Sequence, residues 1–335
     1  KSVVAPLAQY GIGAALYEKQ DYQAAAAALG KLTTGWPTAA VVPRGRHLRG
    51  TCFRELKQFT PAAVELAAFL AAKPDPAEAL DARFELALCQ IGLKQHPQAI
   101  TTLTLLLKDK PDYGKADSAY YELAFAYEAT KQMPQAIAAF RQLVTIAPKS
   151  PLAAECWFRL GRYHEESGDA KQLPEAEKAY TTGLKQAKRP EIRESLLYQL
   201  AWVQYRQERP EVATVGLATL LKEFPKGTLR LRASFLSGEC LFLKNKWTEA
   251  LPMFAPVIAE AKAENRDRAL YRAATCHMNL KQWPNSQAQF ALLIKDYPKY
   301  PQINEARYGL GWSLQNQKKL GEAVVVYQQV TKATN

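Results

Sequence analysis

Thiols and imidazoles are the side chains here with the widest chemical repertoire, and the chain carries 5 Cys and 4 His in 335 residues. Closely spaced Cys would hold zinc or shuttle electrons, and a His beside a Cys or Asp would activate a nucleophile. The spacing supports neither use. Cys52, Cys89, Cys240 and Cys276 occupy one place in a recurring pattern, where three other copies carry Ala15, Ala126 and Ser313 and the remaining two Tyr163 and Val203. They are therefore read as small core residues. Cys156 has no mate, and no CxxC is present. His47, His96, His164 and His277 fall in four separate copies. None belongs to an HExxH, so they are read as substitutes for aromatic residues. No GxxxxGK[ST] phosphate loop and no GxSxG is present. The sequence thus predicts no catalytic residue, no metal site and no cofactor.

The formal net charge is +12. Residues 1–148 hold 16 Lys/Arg against 13 Asp/Glu, and the remainder 28 against 19, so the excess sits in the second half. A basic surface permits an acidic partner without requiring one. No apolar run reaches the ~20 residues of a membrane helix, so no membrane insertion is expected. The opening KSVVAPLAQYG lacks Met and a basic-then-apolar targeting pattern, as a trimmed or mature chain would.

The elements that must position these residues repeat. A small residue recurs at Gly13, Gly50, Ala87, Ala124, Gly161, Ala201, Gly238, Ala274 and Gly311, at intervals of 37, 37, 37, 37, 40, 37, 36 and 37. A second small residue follows at Ala25, Ala62, Ala99, Ala136, Ala176, Ala213, Ala250, Ser286 and Ala323. Four residues later comes a large one: Leu29, Leu66, Leu103, Phe140, Tyr180, Leu217, Phe254, Phe290 or Tyr327. Prolines such as Pro37, Pro74 and Pro111 close many units. Others, such as Pro97, Pro134 and Pro284, sit where a second helix would start and a missing N–H costs little. The pattern predicts two antiparallel helices per unit, close helix contacts at the small residues, and the large residues filling the gaps. Strand alternation is absent, so the fold class is all-α.

This pattern resembles the tetratricopeptide repeat, which has Gly or Ala in the middle of helix A, Ala early in helix B and a closing Pro. Units here are about three residues longer. The resemblance implies a right-handed superhelical solenoid of nine helix-turn-helix repeats forming one domain over 1–335. Repeat spans are 3–37, 41–74, 78–111, 115–148, 151–188, 191–225, 229–262, 266–298 and 301–335. DYPKYPQINEARYGLG (296–311) also resembles repeat proteins of the bacterial envelope, of the Tol–Pal coordinator and outer-membrane assembly lipoprotein types. That likeness favours the periplasm or envelope, whereas five unpaired cysteines favour a reducing compartment such as the cytoplasm.

In such repeats the first helices line a ligand-binding face. The resemblance places the residue three before each small one on that side: Tyr10, His47, Phe84, Tyr121, Phe158, Tyr198, Phe235, Tyr271 and Tyr308. One reading of this ladder is packing between successive helices; the other is an aromatic contact surface. In repeats 5 to 8 the expected lining adds Arg159, Arg162, Trp202, Tyr205, Arg206, Arg232, Phe242, Arg268 and Arg272, interrupted by Glu155, Glu165, Glu166 and Glu239. Arg and Trp/Tyr often dominate binding energy, while a solvated face with local ion pairs is the other reading. The Lys/Asn/Arg carboxylate clamp of the chaperone-binding subset is not matched. Its Lys place holds aromatics or His, and its Asn place holds Ala14, Thr51, Leu88 and Phe125.

The resemblance implies a non-catalytic scaffold that binds an extended peptide or helix of a protein partner, with an acidic partner one option. The alternatives are a repeat domain of a larger envelope assembly or enzyme, and nucleic-acid binding. The last is disfavoured because the charges are dispersed among carboxylates. Two further expectations concern irregular places. Pro252 and Pro256 within EALPMFAPVIAEA predict a bent or broken helix. The last helix is expected to expose Val324, Tyr327 and Val330 if nothing follows it, a surface for a downstream segment, for self-association or for a partner.

Overall fold

The computed structural model describes residues 4–332; residue 3 of the expected repeat 1 and residues 333–335 of the expected repeat 9 lie outside the described residues. Among the described residues there are eighteen α-helices and no strand. The chain divides into two compact units, 1–160 and 161–335. The first contains α1 (Val4–Glu18), α2 (Tyr22–Gly35), α3 (Val42–Glu55), α4 (Phe59–Ala71), α5 (Pro76–Gly92), α6 (His96–Asp109), α7 (Ala116–Ala129) and α8 (Met133–Ile146). α9 (Ala153–Glu166) includes the boundary between the units. The second contains α10 (Leu173–Gln186), α11 (Pro190–Arg206), α12 (Pro210–Glu223), α13 (Arg230–Leu243), α14 (Trp247–Ala259), α15 (Arg266–Asn279), α16 (Trp283–Asp296), α17 (Ile303–Asn316) and α18 (Leu320–Lys332).

The small-residue pattern is the packing code. All nine helix-A positions and all nine helix-B positions are buried. The large residue closes onto the small one of its own hairpin. A Cβ added to Gly13 would lie 2.5 Å from Leu29, one on Gly238 2.5 Å from Phe254, and one on Gly311 2.5 Å from Tyr327. Gly161 meets Tyr180 in the same way. Leu29, Leu66, Leu103, Phe140, Tyr180, Leu217 and Phe254 have no exposed surface. Losing one such ring or branch would cost roughly 2–5 kcal/mol.

A second nine-fold regularity lies in the turns. The residue seven past each small helix-A position has positive φ: Gln20, Lys57, Lys94, Lys131, Gly168, Glu208, Asn245, Lys281 and Lys318, with φ between 57° and 74°. The turn lets the next N–H reach back to a carbonyl at the end of helix A, as in Gln58 N to Phe53 O (2.8 Å) and Gln132 N to Tyr127 O (2.8 Å). This is a left-handed helix termination, usually given to Gly. Only Gly168 follows that preference, in the hairpin that carries the three-residue insertion. There the extra residues form a short 3-10 turn, Ala170–Gln172, begun by Asp169 accepting from Lys171 N at 2.9 Å.

At two places the structure refines the expectations. α14 is continuous rather than broken: it runs from Trp247 through Pro252 and Pro256 and ends at Ala259. Each proline removes one backbone hydrogen bond, yet Ala250, Phe254 and Val257 are fully buried on the opposite face and hold the helix to the core. At the last helix Val324 is 52 % exposed, but Tyr327 is half-buried because its ring covers Gly311 and lies 5.8 Å from Tyr308.

The five cysteines are free and buried. Burial pushes Cys52 and Cys89 up to about 11, and Cys156, Cys240 and Cys276 up to about 12. They are core thiols rather than nucleophiles. Among the described residues no helix is long and apolar enough to cross a membrane, and no group of His, Cys, Asp and Glu is placed to hold a metal.

Candidate functional site

In the second unit, α11, α13 and α15 present their neighbouring faces to one cleft of about 340 Å³. Helical spacing sets the lining. Tyr198, Trp202 and Tyr205 of α11 stand at i, i+4 and i+7, on one side of the helix. α13 adds Arg232, Phe235, Leu236 and Glu239, and the start of α15 with its preceding turn adds Glu264, Asn265 and Arg268. The inner edges of the three α11 aromatics rest on a core that includes Leu197, Leu217 and Leu236. That packing fixes their orientation. Trp202 and Tyr205 lie nearly parallel, 5.8 Å apart and 22° between planes. Burial pushes the phenols of Tyr198 and Tyr205 up, so both carry a proton at neutral pH.

The arginines do not stand alone. Arg232 Nε donates to Glu264 Oε2 at 2.7 Å. Glu239 is the electrostatic centre: its side chain is only 3 % exposed, and it accepts from Arg272 Nε at 2.7 Å and from Arg268 Nη2 at 3.3 Å. Both guanidiniums lie over rings, Arg268 on Phe235 at 4.9 Å and Arg272 on Phe242 at 4.4 Å. Burial opposes the charge of Arg272, but the Glu239 hydrogen bonds and the attraction of its carboxylate together outweigh it and hold the guanidinium above its ordinary value. Glu239 is the buried member of the trio, and with two stacked cations on it, loss of either arginine alone leaves it paired with the other.

The residues expected to line one surface thus separate. Tyr198, Trp202, Tyr205, Arg232, Phe235 and Arg268 share the cleft. Phe242 and Arg272 form its backing, with Phe242 edge-on to Trp247 at 4.9 Å. Tyr271 packs between Phe290 and Tyr300, at 6.0 and 5.7 Å, and serves the core between α15 and α16. Arg206 lies near Glu165, a carboxyl that burial pushes up against the opposing hydrogen bond from Tyr180 and the Arg206 charge. Arg162 spends its guanidinium on Glu166, one turn along its own helix. Arg159 belongs to the first unit, where it lies over Phe125 at 4.9 Å and faces Glu128 at 3.6 Å.

Sequence reasoning did not foresee Leu236, Glu264 or Asn265 in the lining. Glu264 has no helical register to betray it, since it sits in the turn before α15. The aromatic ladder resolves mainly as packing. Phe84 and Phe235 are buried, His47 stacks on Phe69 at 4.7 Å, and only Tyr308 is largely exposed.

Comparison with known proteins gives one consistent result. A sequence model described as tetratricopeptide repeat matches residues 81–113, 118–150, 268–300 and 305–333. No curated protein matches the chain. Among solved structures, the C-terminal part of a TPR repeat-containing protein from Cytophaga hutchinsonii aligns with a TM-score of 0.52 and 12% identity, covering 89% of this chain and 98% of its own. YrrB, described as a TPR protein with an unusual peptide-binding site, aligns with a TM-score of 0.50 and 18% identity, covering 61% of this chain and 97% of its own. At these identities the likeness concerns the fold.

Proposed function

Because this chain is a tetratricopeptide-repeat protein, and such repeats serve generally as protein–protein interaction scaffolds, we propose that it binds an extended segment of a partner protein in the α11/α13/α15 cleft without catalysing a reaction. The observation that carries this reading is the row of Tyr198, Trp202 and Tyr205 along one helix face, half-buried and fixed from behind. Rigid amphipathic rings that already rest on a core lose little freedom when a ligand covers them, so their contact area is retained as affinity. The hydroxyls of Tyr198 and Tyr205 supply polar handles for a peptide backbone. Nothing in this lining provides a nucleophile paired with a base.

The segment would lie across the cleft, with one side chain inserted against Trp202. Trp202→Ala is expected to weaken binding by about 2 kcal/mol, roughly thirtyfold, the cost of losing a central aromatic anchor. Photo-cross-linking offers a direct test. A photoreactive residue at Tyr205 should capture a bound partner segment, and one at Val215, which is 69% exposed on α12, should not. Capture from position 215 with none from 205 would sink the proposal.

A further inference from the structure

The charge arrangement of the cleft says what kind of segment it would take, granted the peptide-binding reading above. Arg232 and Arg268 are the cations of the lining, and Glu239 and Glu264 are its anions. Within the lining the two signs are equal in number and all four groups are engaged; Arg272, behind the lining, is a third cation that shares Glu239. Arg232 holds Glu264 at 2.7 Å. Arg268 shares Glu239 with Arg272 and rests its guanidinium face on Phe235. Glu239 is buried, so it cannot swing aside to free Arg268 for an incoming carboxylate. An acidic ligand group would approach a cation whose compensating anion stays within hydrogen-bond distance, and a basic one would meet the reverse. Neither gains a new uncompensated partner, and each would lose hydration on entering. The uncommitted surface is apolar: the ring faces of Tyr198, Trp202 and Tyr205, with Leu236 at the floor.

We infer that the cleft selects an uncharged extended segment of a partner protein, anchored by one bulky apolar or aromatic side chain, and does not read acidic or basic residues. Charge complementarity here means neutrality. The departures from the carboxylate clamp noted in the sequence agree with it, since no lysine stands in the ladder.

The probe is a phage-displayed library of random dodecapeptides, selected on the full chain and depleted on Trp202→Ala. Tyr205→Ser, with unchanged helicity by circular dichroism, is a second depletion variant should Trp202→Ala misfold. Enriched peptides are synthesised and their affinities measured by fluorescence anisotropy. The expected sequences share one large apolar residue and carry no excess of either charge. Replacing that residue by Ala should weaken binding at least about tenfold. Raising NaCl from about 50 to about 500 mM should change affinity less than about twofold, because screening acts on charge pairs. Arg268→Gln should change it less than about threefold. Enrichment of acidic or of basic peptides, with about a tenfold loss on adding salt or on Arg268→Gln, would overturn the inference while leaving the cleft as the binding site. Failure of every peptide to distinguish the wild type from both depletion variants would remove the peptide-binding reading itself.

Discussion

Two glycines in adjacent hairpins should respond to the same substitution with opposite signs. Gly238 lies inside α13 and Gly216 inside α12. Ala is favoured over Gly in a helix interior by about 1 kcal/mol, so propensity alone predicts that Gly→Ala stabilises both. The surroundings differ. A Cβ at Gly216 would find only Ala201 Cβ, at 3.8 Å, an ordinary contact. A Cβ at Gly238 would stand 2.5, 2.7 and 2.8 Å from Phe254 Cε1, Cζ and Cδ1. Relieving that overlap needs a shift of roughly 1 Å. Phe254 has no exposed surface and packs among Val257, Ala269 and Ala273. Interiors packed this densely do not give way without cost. Overpacking costs about 1–3 kcal/mol, and an overlap of this size on a ring with no exposed surface belongs at the upper end, about 2–3 kcal/mol, so the net for Gly238→Ala is a loss of about 1–2 kcal/mol after the propensity gain of about 1 kcal/mol. Gly216→Ala should gain about 0.5–1 kcal/mol. Urea unfolding followed by circular dichroism at 222 nm would read both as shifts of midpoint in opposite directions. A Gly238→Ala variant as stable as the wild type would refute the claim that the small residue exists to seat the large one.

Other consequences follow from the same geometry. Lys57→Gly and Lys131→Gly should each stabilise by about 0.5–1 kcal/mol, because Gly adopts positive φ without the Cβ penalty. Gly168→Ala should cost a similar amount, and thermal midpoints of the single variants check both. Glu239→Gln should lower stability by about 1–2 kcal/mol; the loss is less than for a fully buried pair because Arg272 and Arg268 keep 30% and 49% exposure. Burial raises the folded-state thiols to about 11 or about 12, above an unfolded thiol near 9. Their contribution to stability is therefore complete below about pH 9 and is lost as pH rises through about 11 to 12. Alkylation by iodoacetamide at pH 8 should be slow in the native state and fast after denaturation, counted by mass spectrometry.

Much of the fold was legible because its code is steric. Nine small residues opposite nine large ones can be read without knowing what else surrounds them, and where the small residue is Gly, at 13, 50, 161, 238 and 311, the large residue of the same hairpin closes onto it. The turns were not legible in the same way. Their left-handed residue is Gly only at position 168 and is Lys at five places, so the residue type carries no sign of its backbone geometry. Pro252 and Pro256 do not break α14, because proline chemistry is local, whereas the burial of Phe254 and Val257 that holds the helix to the core is not. Helical spacing puts Tyr198, Trp202 and Tyr205 on one side of α11, and all three line the cleft. The arginines were harder, because the anions that engage them lie far off in sequence. Arg272 is paired with Glu239, 33 residues away, and Arg232 with Glu264, 32 away. One chain read alone shows the cations but not that they are already answered.

The most direct measurement is the structure of the full chain in complex with a peptide from the library selection. The account predicts an extended segment across α11 and α13, one uncharged side chain against Trp202, and the Glu239–Arg272 and Arg232–Glu264 pairs intact. A peptide seated elsewhere, or one whose carboxylate has pulled Arg268 away from Glu239, would contradict it.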